Sequence, residues 1–382
     1  MKKEKTMKWK LNIPSVLIGH ARGAQPSRPK IAAFDLDDTF IKTKSGRVYA
    51  KNKDDWCYWD GSISKRLEEL YNDGFSIVIF SNQNGLKSEQ RIHEFQYKVE
   101  SIINGIDVPV TVLAAMDKDH YRKPMTGMWD WIEQKASDEA VTIDKKQSFF
   151  VGDAAGRQAN WKPKKKKDHS CSDRKFAFNS GIGFFTPEEY FLNEKPASFS
   201  WGDFDPKEYK WETPKSPILP TNTHEIIVCV GIPASGKSSY VKQHLISKGY
   251  VHVNQDTLRT KEKCVAVCKQ ALKESKSVVI DNTNPEKTTR AVYIKLARDA
   301  NVPIRCFYFG DNDGLAQHNN FYRAIYKQAD EKRELIGGIV FRLFKSKFQA
   351  PTKDEGFDEI EKIDFSFDGS EDDYKAWLKW WN

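Results

Sequence analysis

The sequence has no apolar run long enough to cross a membrane: its longest, such as IIVCV at 226–230, are strand-sized. It has no CxxC spacing and no paired histidine ligands. Its six cysteines (Cys57, Cys171, Cys229, Cys264, Cys268, Cys306) are scattered, which argues against a zinc site and a disulfide framework and leaves them as reduced packing residues. The opening MKKEKTMKWKLNIPSV is basic but lacks the apolar stretch and small-residue cleavage site of a secretory signal, so an intracellular protein is expected. The 382 residues exceed the usual size of one domain, and two compact units are expected. Hydrophobic residues at 39% and aromatics at 13% exclude a wholly disordered chain. A net charge of +8 favours anionic partners.

Residues 29–200 alternate two patterns. PKIAAFDLD (29–37), FSIVIFSNQ (75–83), PVTVLAAM (109–116) and QSFFVGDA (147–154) read as buried parallel strands. SKRLEELYNDG (64–74), SEQRIHEFQYKVESIING (88–105) and TGMWDWIEQKASD (126–138) read as helices between them. The alternation predicts an α/β fold around a parallel sheet. Residues 196–223 carry five prolines without periodicity and hold the linker, placed at 206–222. A second alternation begins with EIIVCV. The expected layout is thus a basic N-terminal extension (1–28), an α/β domain (29–205), the linker, and another α/β domain (223–382).

Ligands of open α/β sheets sit at the carboxyl ends of strands. Asp35, Asp37, Ser81, Asn82, Lys123 and Asp153 all end or follow a predicted strand. Asp35 and Asp37 alternate on an extended segment and project from one side, where two carboxylates need a divalent cation or a shared proton. The motif DLDDT at 35–39 resembles the DxDx[TV] signature of the haloacid dehalogenase superfamily of phosphatases, with a Rossmann-like parallel sheet. The resemblance implies Asp35 as nucleophile, Asp37 as general acid, Ser81 as a phosphate-oxygen contact, Lys123 as the neutralising cation and Asp153 as a metal ligand. Asp35 and Asp37 join Asp153 in the expected Mg2+ site. Asp38 stands where many relatives have glycine and is either a turn cap or a third catalytic carboxylate. Asp173, in SCSDRKFAFN, is either a further acid near the metal or a surface ion pair.

GIPASGKS at 231–238 is a full G-x-x-x-x-G-K-[ST] match between a predicted strand and a predicted helix. Gly231, Ser235, Gly236, Lys237, Ser238 and Ser239 are expected to wrap the phosphates of ATP, with Lys237 on the β and γ phosphates and Ser238 on Mg2+. Asp256, in VNQDTLR, is placed either to take a proton from an attacking hydroxyl or to cap the next helix. Asp281 has the placement of a Walker-B acid, or else organises the turn before Pro285. Arg323 either closes over the phosphates or faces solvent.

One half thus removes phosphate and the other adds it, which is futile on one atom but sensible at a nucleic-acid break with a 3′-phosphate and a 5′-hydroxyl. FDLDDTFI, IFSNQNG, YRKPMTGMWDWI, FVGDAAGRQANW, SCSDRKFAFN, TPEEYFL, GIPASGKSSY, YVHVNQDTLR, IDNTNP and HNNFYR together resemble the bifunctional polynucleotide kinase 3′-phosphatases of DNA repair. The match covers roughly residues 29–350. The resemblance implies a haloacid dehalogenase-like phosphatase domain followed by a P-loop kinase domain, with DNA ends as substrate, Mg2+ and ATP as cofactors, other repair proteins as partners, a nuclear location and a monomer. It assigns Lys237, Ser238 and Asp256 as the kinase's phosphate, metal and base residues, and Arg323 as a phosphate contact, since Phe321 replaces a further basic residue of animal members. Animal members commonly have glycine at Arg259. Their forkhead-associated domain is not expected before residue 29. The alternatives are an RNA end-healing enzyme and a phosphatase-kinase fusion acting on small molecules.

Three features fall outside these sites. WKPKKKKDHS (161–170) contains the run Lys164–Lys167, which could hold DNA phosphates, serve nuclear import, or be a solvated loop. Trp56, Tyr58 and Trp59 either stack on a terminal base or pack on the fold. The C-terminal WLKWWN is expected to dock on the second domain.

Overall fold

The structure, a computed structural model, describes residues 7–382 apart from 24, 212–216, 218–223 and 327–332. The chain divides into two compact units, Met1–Gly202 with Trp380–Asn382, and Asp203–Lys379. Most of the linker expected at 206–222 lies outside the described residues. Its first part does not behave as a linker: Trp211 donates from Nε1 to the Phe367 carbonyl at 3.0 Å, and the Tyr209 hydroxyl donates to Phe365 O at 2.9 Å, within the second unit.

In the first unit the strands are β1 (Met7–Ile13), β2 (Val16–Ala21), β3 (Lys30–Phe34), β4 (Ile41–Lys42), β5 (Cys57–Tyr58), β6 (Phe75–Asn82), β7 (Val110–Ala115), β8 (Phe149–Val151) and β9 (Gly183–Phe185). Its helices are α1 (Ile63–Asn72), α2 (Glu89–Ile103), α3 (Gly127–Asp138), α4 (Ser172–Ser180) and α5 (Pro187–Leu192). Seven strands form one sheet in the order β1-β2-β7-β6-β3-β8-β9. The run from β7 to β9 is parallel, whereas β2 adds antiparallel to β7 and β1 antiparallel to β2. The extension expected at 1–28 is therefore corrected: WKLNIPSVLIGHA is a hairpin on the sheet, and β2 is buried along its whole length because it fills the sheet beyond β7.

Alternation along the strands divides the core. Ala32, Phe34, Ile77 and Ile79 face Leu67 of α1 and Phe95, Val99 and Ile102 of α2, while Ile31, Ala33, Val78 and Phe80 face Met128 and Trp129 of α3 and Phe176 of α4. Both faces are covered, so the strands read as continuous apolar runs. Ser88 caps α2 by accepting from Arg91 N, and Thr186 with Glu189 forms a capping box at α5. Trp56, Tyr58 and Trp59 pack against the first face, and the Tyr58 hydroxyl donates to Ile102 O at 2.6 Å. They belong to the fold; the base-stacking alternative is set aside.

The second unit is a five-stranded parallel sheet in the order β11-β12-β10-β13-β14, built from β10 (Ile226–Val230), β11 (Val251–Val253), β12 (Val278–Ile280), β13 (Ile304–Tyr308) and β14 (Glu359–Lys362). Around it lie α6 (Lys237–His244), α7 (Gln255–Leu258), α8 (Lys261–Lys273), α9 (Lys287–Ala300), α10 (Asp313–Ile325), α11 (Gly338–Lys347) and α12 (Glu371–Trp377). All six cysteines are free, and Cys264, Cys268 and Cys306 pack in this unit's core. The C-terminal WLKWWN divides: Trp377 packs on His318 and Phe365, while Trp380 binds Asn179 of the first unit through its backbone N–H at 2.9 Å. Docking of the whole segment on the second domain is corrected accordingly.

Arg290, on α9, is fully buried; its Nε and Nη2 each lie 2.7 Å from Glu355, and its Nη1 reaches the carbonyls of Asn284 and Pro285. Removing one partner of such a pair strands the other charge at a cost of about 3–5 kcal/mol. Glu355→Ala is expected to lower the stability of the second unit by that amount in urea titration, and a loss below about 1 kcal/mol would show that the guanidinium finds other compensation.

Candidate active sites

The first site lies where β3, β6 and β8 end. β3 is flanked by β6, which continues to β7, and by β8, which continues to β9, so the chain leaves β3 in both directions and opens a crevice at the carboxyl ends. Asp35 follows β3 and donates its N–H to Val151 O at 2.8 Å. Lys123 reaches in from the β7–α3 connection: its Nζ lies 2.5 Å from Asp35 Oδ1 and 2.7 Å from Asp173 Oδ1. The Lys123 backbone is tied to Asn82, whose Oδ1 accepts from Lys123 N at 2.9 Å and whose Nδ2 donates to Lys123 O at 3.1 Å. Asn82 was expected at the site, and this is its task there.

Asp153 follows β8 and accepts from the Thr39 hydroxyl at 3.2 Å. Carboxylate oxygens of Asp35, Asp153 and Asp173 come within 4.8 Å of one another. Burial pushes the Asp35 carboxyl up to about 7, opposed by the Lys123 ammonium and reinforced by Asp173. Burial, then Asp173 and Asp35, pushes Asp153 well above the usual carboxylate range. Burial alone would lower Lys123, but Asp173 and Asp35 outweigh it and raise its pKa. Three carboxylates, two buried and one half-buried, supply hard oxygen donors against one ammonium and fit a divalent cation such as Mg2+.

Two expectations change here. Asp173 is no surface ion pair: it is 2% exposed, on the first turn of α4, and accepts from Ala154 N at 3.1 Å. Asp37, expected among the metal ligands, is outside the trio, because its carboxylate is drawn to Gln83 Nε2 at 2.8 Å and Lys98 Nζ at 2.9 Å. Gln83 also donates to Ser81 Oγ at 2.9 Å, which joins Asp37 and Ser81 across the mouth. The sequence signal for Gln83 was its place in SNQ; nothing local marked Lys98, which comes from α2.

In the second unit, β10 passes through GIPASGKS into α6, with φ of +63° at Ala234 and +94° at Gly236 curling the loop. Lys237 is buried and donates to Gly231 O at 2.9 Å, Ile232 O at 2.6 Å and Ser235 Oγ at 3.2 Å. Desolvation lowers its pKa to about 8, with Asp281 pulling the other way. A cavity of about 280 Å³ opens on the loop, lined by Ser235, Gly236, Lys237, Ser238, Ser239 and Arg323, among others. Arg323 is not a solvent-facing side chain: its Nε is buried without a partner, and burial lowers its pKa to about 10. Cations, backbone amides and a helix N-terminus around one cavity fit a polyphosphate.

Asp281 directly follows β12, 2% exposed, with Oδ2 3.0 Å from His252 Nε2 and Oδ1 buried without a hydrogen-bond partner among the described residues. An unpaired buried carboxylate oxygen near Lys237 suits a cation. The cap of α7 is Asn254, whose Oδ1 accepts from Asp256 N and Thr257 N, so Asp256 is released from the capping alternative and stands exposed.

A family model described as polynucleotide kinase 3 phosphatase matches residues 30–191, and one described as an AAA domain matches 226–264 and 260–351. The bifunctional polynucleotide phosphatase/kinase of Schizosaccharomyces pombe is 42% identical over 355 residues, covering 92% of this chain and 83% of its own. The chain belongs to the bifunctional polynucleotide phosphatase/kinase family. A relative from Acanthamoeba polyphaga mimivirus is 34% identical over 92% of this chain and 88% of its own. The polynucleotide 3′-phosphatase of Saccharomyces cerevisiae is 28% identical, covering 42% of this chain and 87% of its own.

Gly152 leaves no room for a side chain, since a Cβ there would stand 2.5 Å from Asp173 Oδ2. Gly152→Ala must therefore shift Asp173 and with it Lys123. A displacement of about 1 Å in a reacting constellation costs on the order of 100-fold. Phosphatase turnover is expected to fall by about that factor with kinase turnover retained; equal turnover of both would show that Asp173 is not part of the constellation.

Proposed function

We propose that the two sites repair the ends of broken DNA strands, the first removing a 3′-phosphate and the second phosphorylating a 5′-hydroxyl with ATP, in strand-break repair in the nucleus. The observation that carries the reading is the coexistence in one chain of a buried aspartate-lysine-aspartate site and a phosphate loop, in a family named for both activities.

At the first site, an Asp35 oxygen attacks the phosphorus and the bond to the strand's 3′ oxygen breaks, leaving an aspartyl-phosphate. Asp37 gives that oxygen its proton, then takes one from the water that attacks the phosphorus, releasing phosphate and restoring Asp35. Ser81 donates to a phosphoryl oxygen, and Lys123 neutralises the charge that builds there. Asp35, Asp153 and Asp173 would hold Mg2+, which offsets their mutual repulsion and favours the ionised nucleophile. Gln83 and Lys98 keep Asp37 beside the mouth.

At the second site, Asp256 takes the proton of the 5′-hydroxyl, whose oxygen attacks the γ-phosphorus as ADP leaves. Lys237 and Arg323, which both line the cavity, bind the phosphates. Ser238 and Asp281 would hold a second Mg2+, which would supply charge compensation for the phosphates.

One labelled oligonucleotide carrying a 5′-hydroxyl and a 3′-phosphate, given ATP and Mg2+, tests both halves. Asp35→Ala is expected to abolish 3′ dephosphorylation and spare 5′ phosphorylation, and Lys237→Ala the converse. Loss of both activities in either folded variant overturns the assignment, and a strong preference for matched RNA ends overturns the substrate.

Nucleotide binding is expected to depend on pH. With the Lys237 pKa at about 8 before binding, a bound triphosphate favours the charged amine and raises that value. Binding therefore takes up a proton above pH 8 and none well below it, so affinity falls as pH rises beyond about 8. Calorimetry in buffers of different ionisation heat reads this directly. Absence of uptake at pH 8.5, where it is required, would remove Lys237 from the phosphate site.

A further inference from the structure

We propose that residues 158–167, carrying Lys164–Lys167, form a preorganised clamp for the nucleic-acid backbone leading up to the phosphatase site, a role that rests on reading that site as one for polynucleotide ends. The four lysines are exposed, and none makes a side-chain ion pair or hydrogen bond to a described residue. Lys162, by contrast, is engaged by Glu194 at 2.6 Å. A run of like charges usually belongs to a solvated segment without fixed structure. Here the backbone is closed on itself: Asn160 N donates to Lys165 O at 2.9 Å, Lys165 N to Lys162 O at 2.9 Å, and Asn160 and Lys164 both hold φ near +60°, at +63° and +64°.

The base of the loop is fixed more firmly still. Arg157, buried, places Nε 2.9 Å from Asp168 Oδ2 and Nη1 2.7 Å from Glu188, and its guanidinium lies 3.9 Å from the centre of the Trp161 ring. Asp168 returns two bonds, accepting from Ala155 N at 3.3 Å and Arg157 N at 3.0 Å. Both ends are thereby tied to the active-site acids. The loop leaves four residues after Asp153, and it returns through His169, whose Nδ1 is 3.9 Å from Asp153 Oδ2, into Asp173.

This arrangement answers an electrostatic problem. Asp35, Asp37, Asp38, Asp153 and Asp173 gather negative charge where a polyanion must enter, so attraction has to come from beside the acids. Lysines on a loop whose backbone order is already established by folding lose less freedom on binding than lysines on a free tail. An import signal would need the same run as an extended, accessible segment, whereas this one begins inside the turn, with Lys164 left-handed and Lys165 tied through its N–H and carbonyl to Lys162 and Asn160.

The test is the full-length protein with Lys164, Lys165, Lys166 and Lys167 all changed to Ala, on a 3′-phosphorylated 20-nucleotide strand and on a 3′-phosphorylated mononucleoside, across a salt series. For the strand, KM is expected to rise about 10- to 100-fold with kcat changed less than about twofold, and the slope of log(kcat/KM) against log salt to become shallower by about 2–3, as loss of three or four phosphate contacts requires. For the mononucleoside, which has no further backbone phosphate, the ratio of variant to parent kcat/KM is expected to stay near one. Unchanged KM and slope on the strand would overturn the clamp and leave the lysines to import or solvation. Failure of the parent protein to dephosphorylate the strand at all would overturn the underlying reading as well, and is told apart by the parent alone.

Discussion

The ion pairing of Lys123 with Asp35 and Asp173 is the interaction on which the first unit's chemistry depends. A single ammonium, 3% exposed, stands between two carboxylates supplied by β3 and α4, with a third from β8 close by. Desolvating charges is costly unless each is paired and hydrogen-bonded. The sheet meets that cost by bringing three strand ends together, by tying the Lys123 backbone to Asn82, and by leaving Gly152 without a side chain where Asp173 must pass. The excess of negative charge that remains is what makes the site suited to a divalent cation.

The second unit buries a lysine under the opposite condition. Among the described residues Lys237 has no carboxylate in contact, only loop carbonyls and a serine hydroxyl, so desolvation prevails and its pKa falls to about 8, whereas the Lys123 pKa is raised. Lys123 sits in a surplus of negative charge, which holds its pKa up; Lys237 sits in a deficit, which lets desolvation lower its pKa until an anion raises it. Arg323, likewise desolvated with a buried unpartnered nitrogen, makes the same statement from α10. The two units thus bury a lysine under opposite electrostatic conditions, one paired with carboxylates and the other held by carbonyls and a hydroxyl.

Elements with a buried apolar period and a motif at the end were legible in the sequence: β3 with Asp35, β6 with Ser81, β8 with Asp153, and β10 leading into the glycine loop. What escaped was what local pattern does not encode. WKLNIPSV carries no clear strand alternation and reads as a basic tail, yet pairing with β7 makes it a hairpin. Asp37 alternates with Asp35 along the chain, which suggested one shared cation, but long-range partners on α2 and after β6 draw it aside. Trp56, Tyr58 and Trp59 were ambiguous because an aromatic cluster looks the same whether it awaits a base or a core.

Asp38 and Arg259 show how backbone geometry resolves a residue that chemistry could not. Both adopt positive φ, +56° and +75°, where most side chains are strained and glycine is not. Aspartate tolerates the left-handed region through its short polar side chain, so Asp38 can occupy the bend that carries the chain from Asp37 back to Thr39 and its hydrogen bond to Asp153. Its carboxyl, pushed up by burial and by Asp37, then adds to the negative field at the mouth without joining the trio inside. Arg259 takes its positive φ as the C-cap of α7, where its N–H donates to Gln255 O at 2.7 Å.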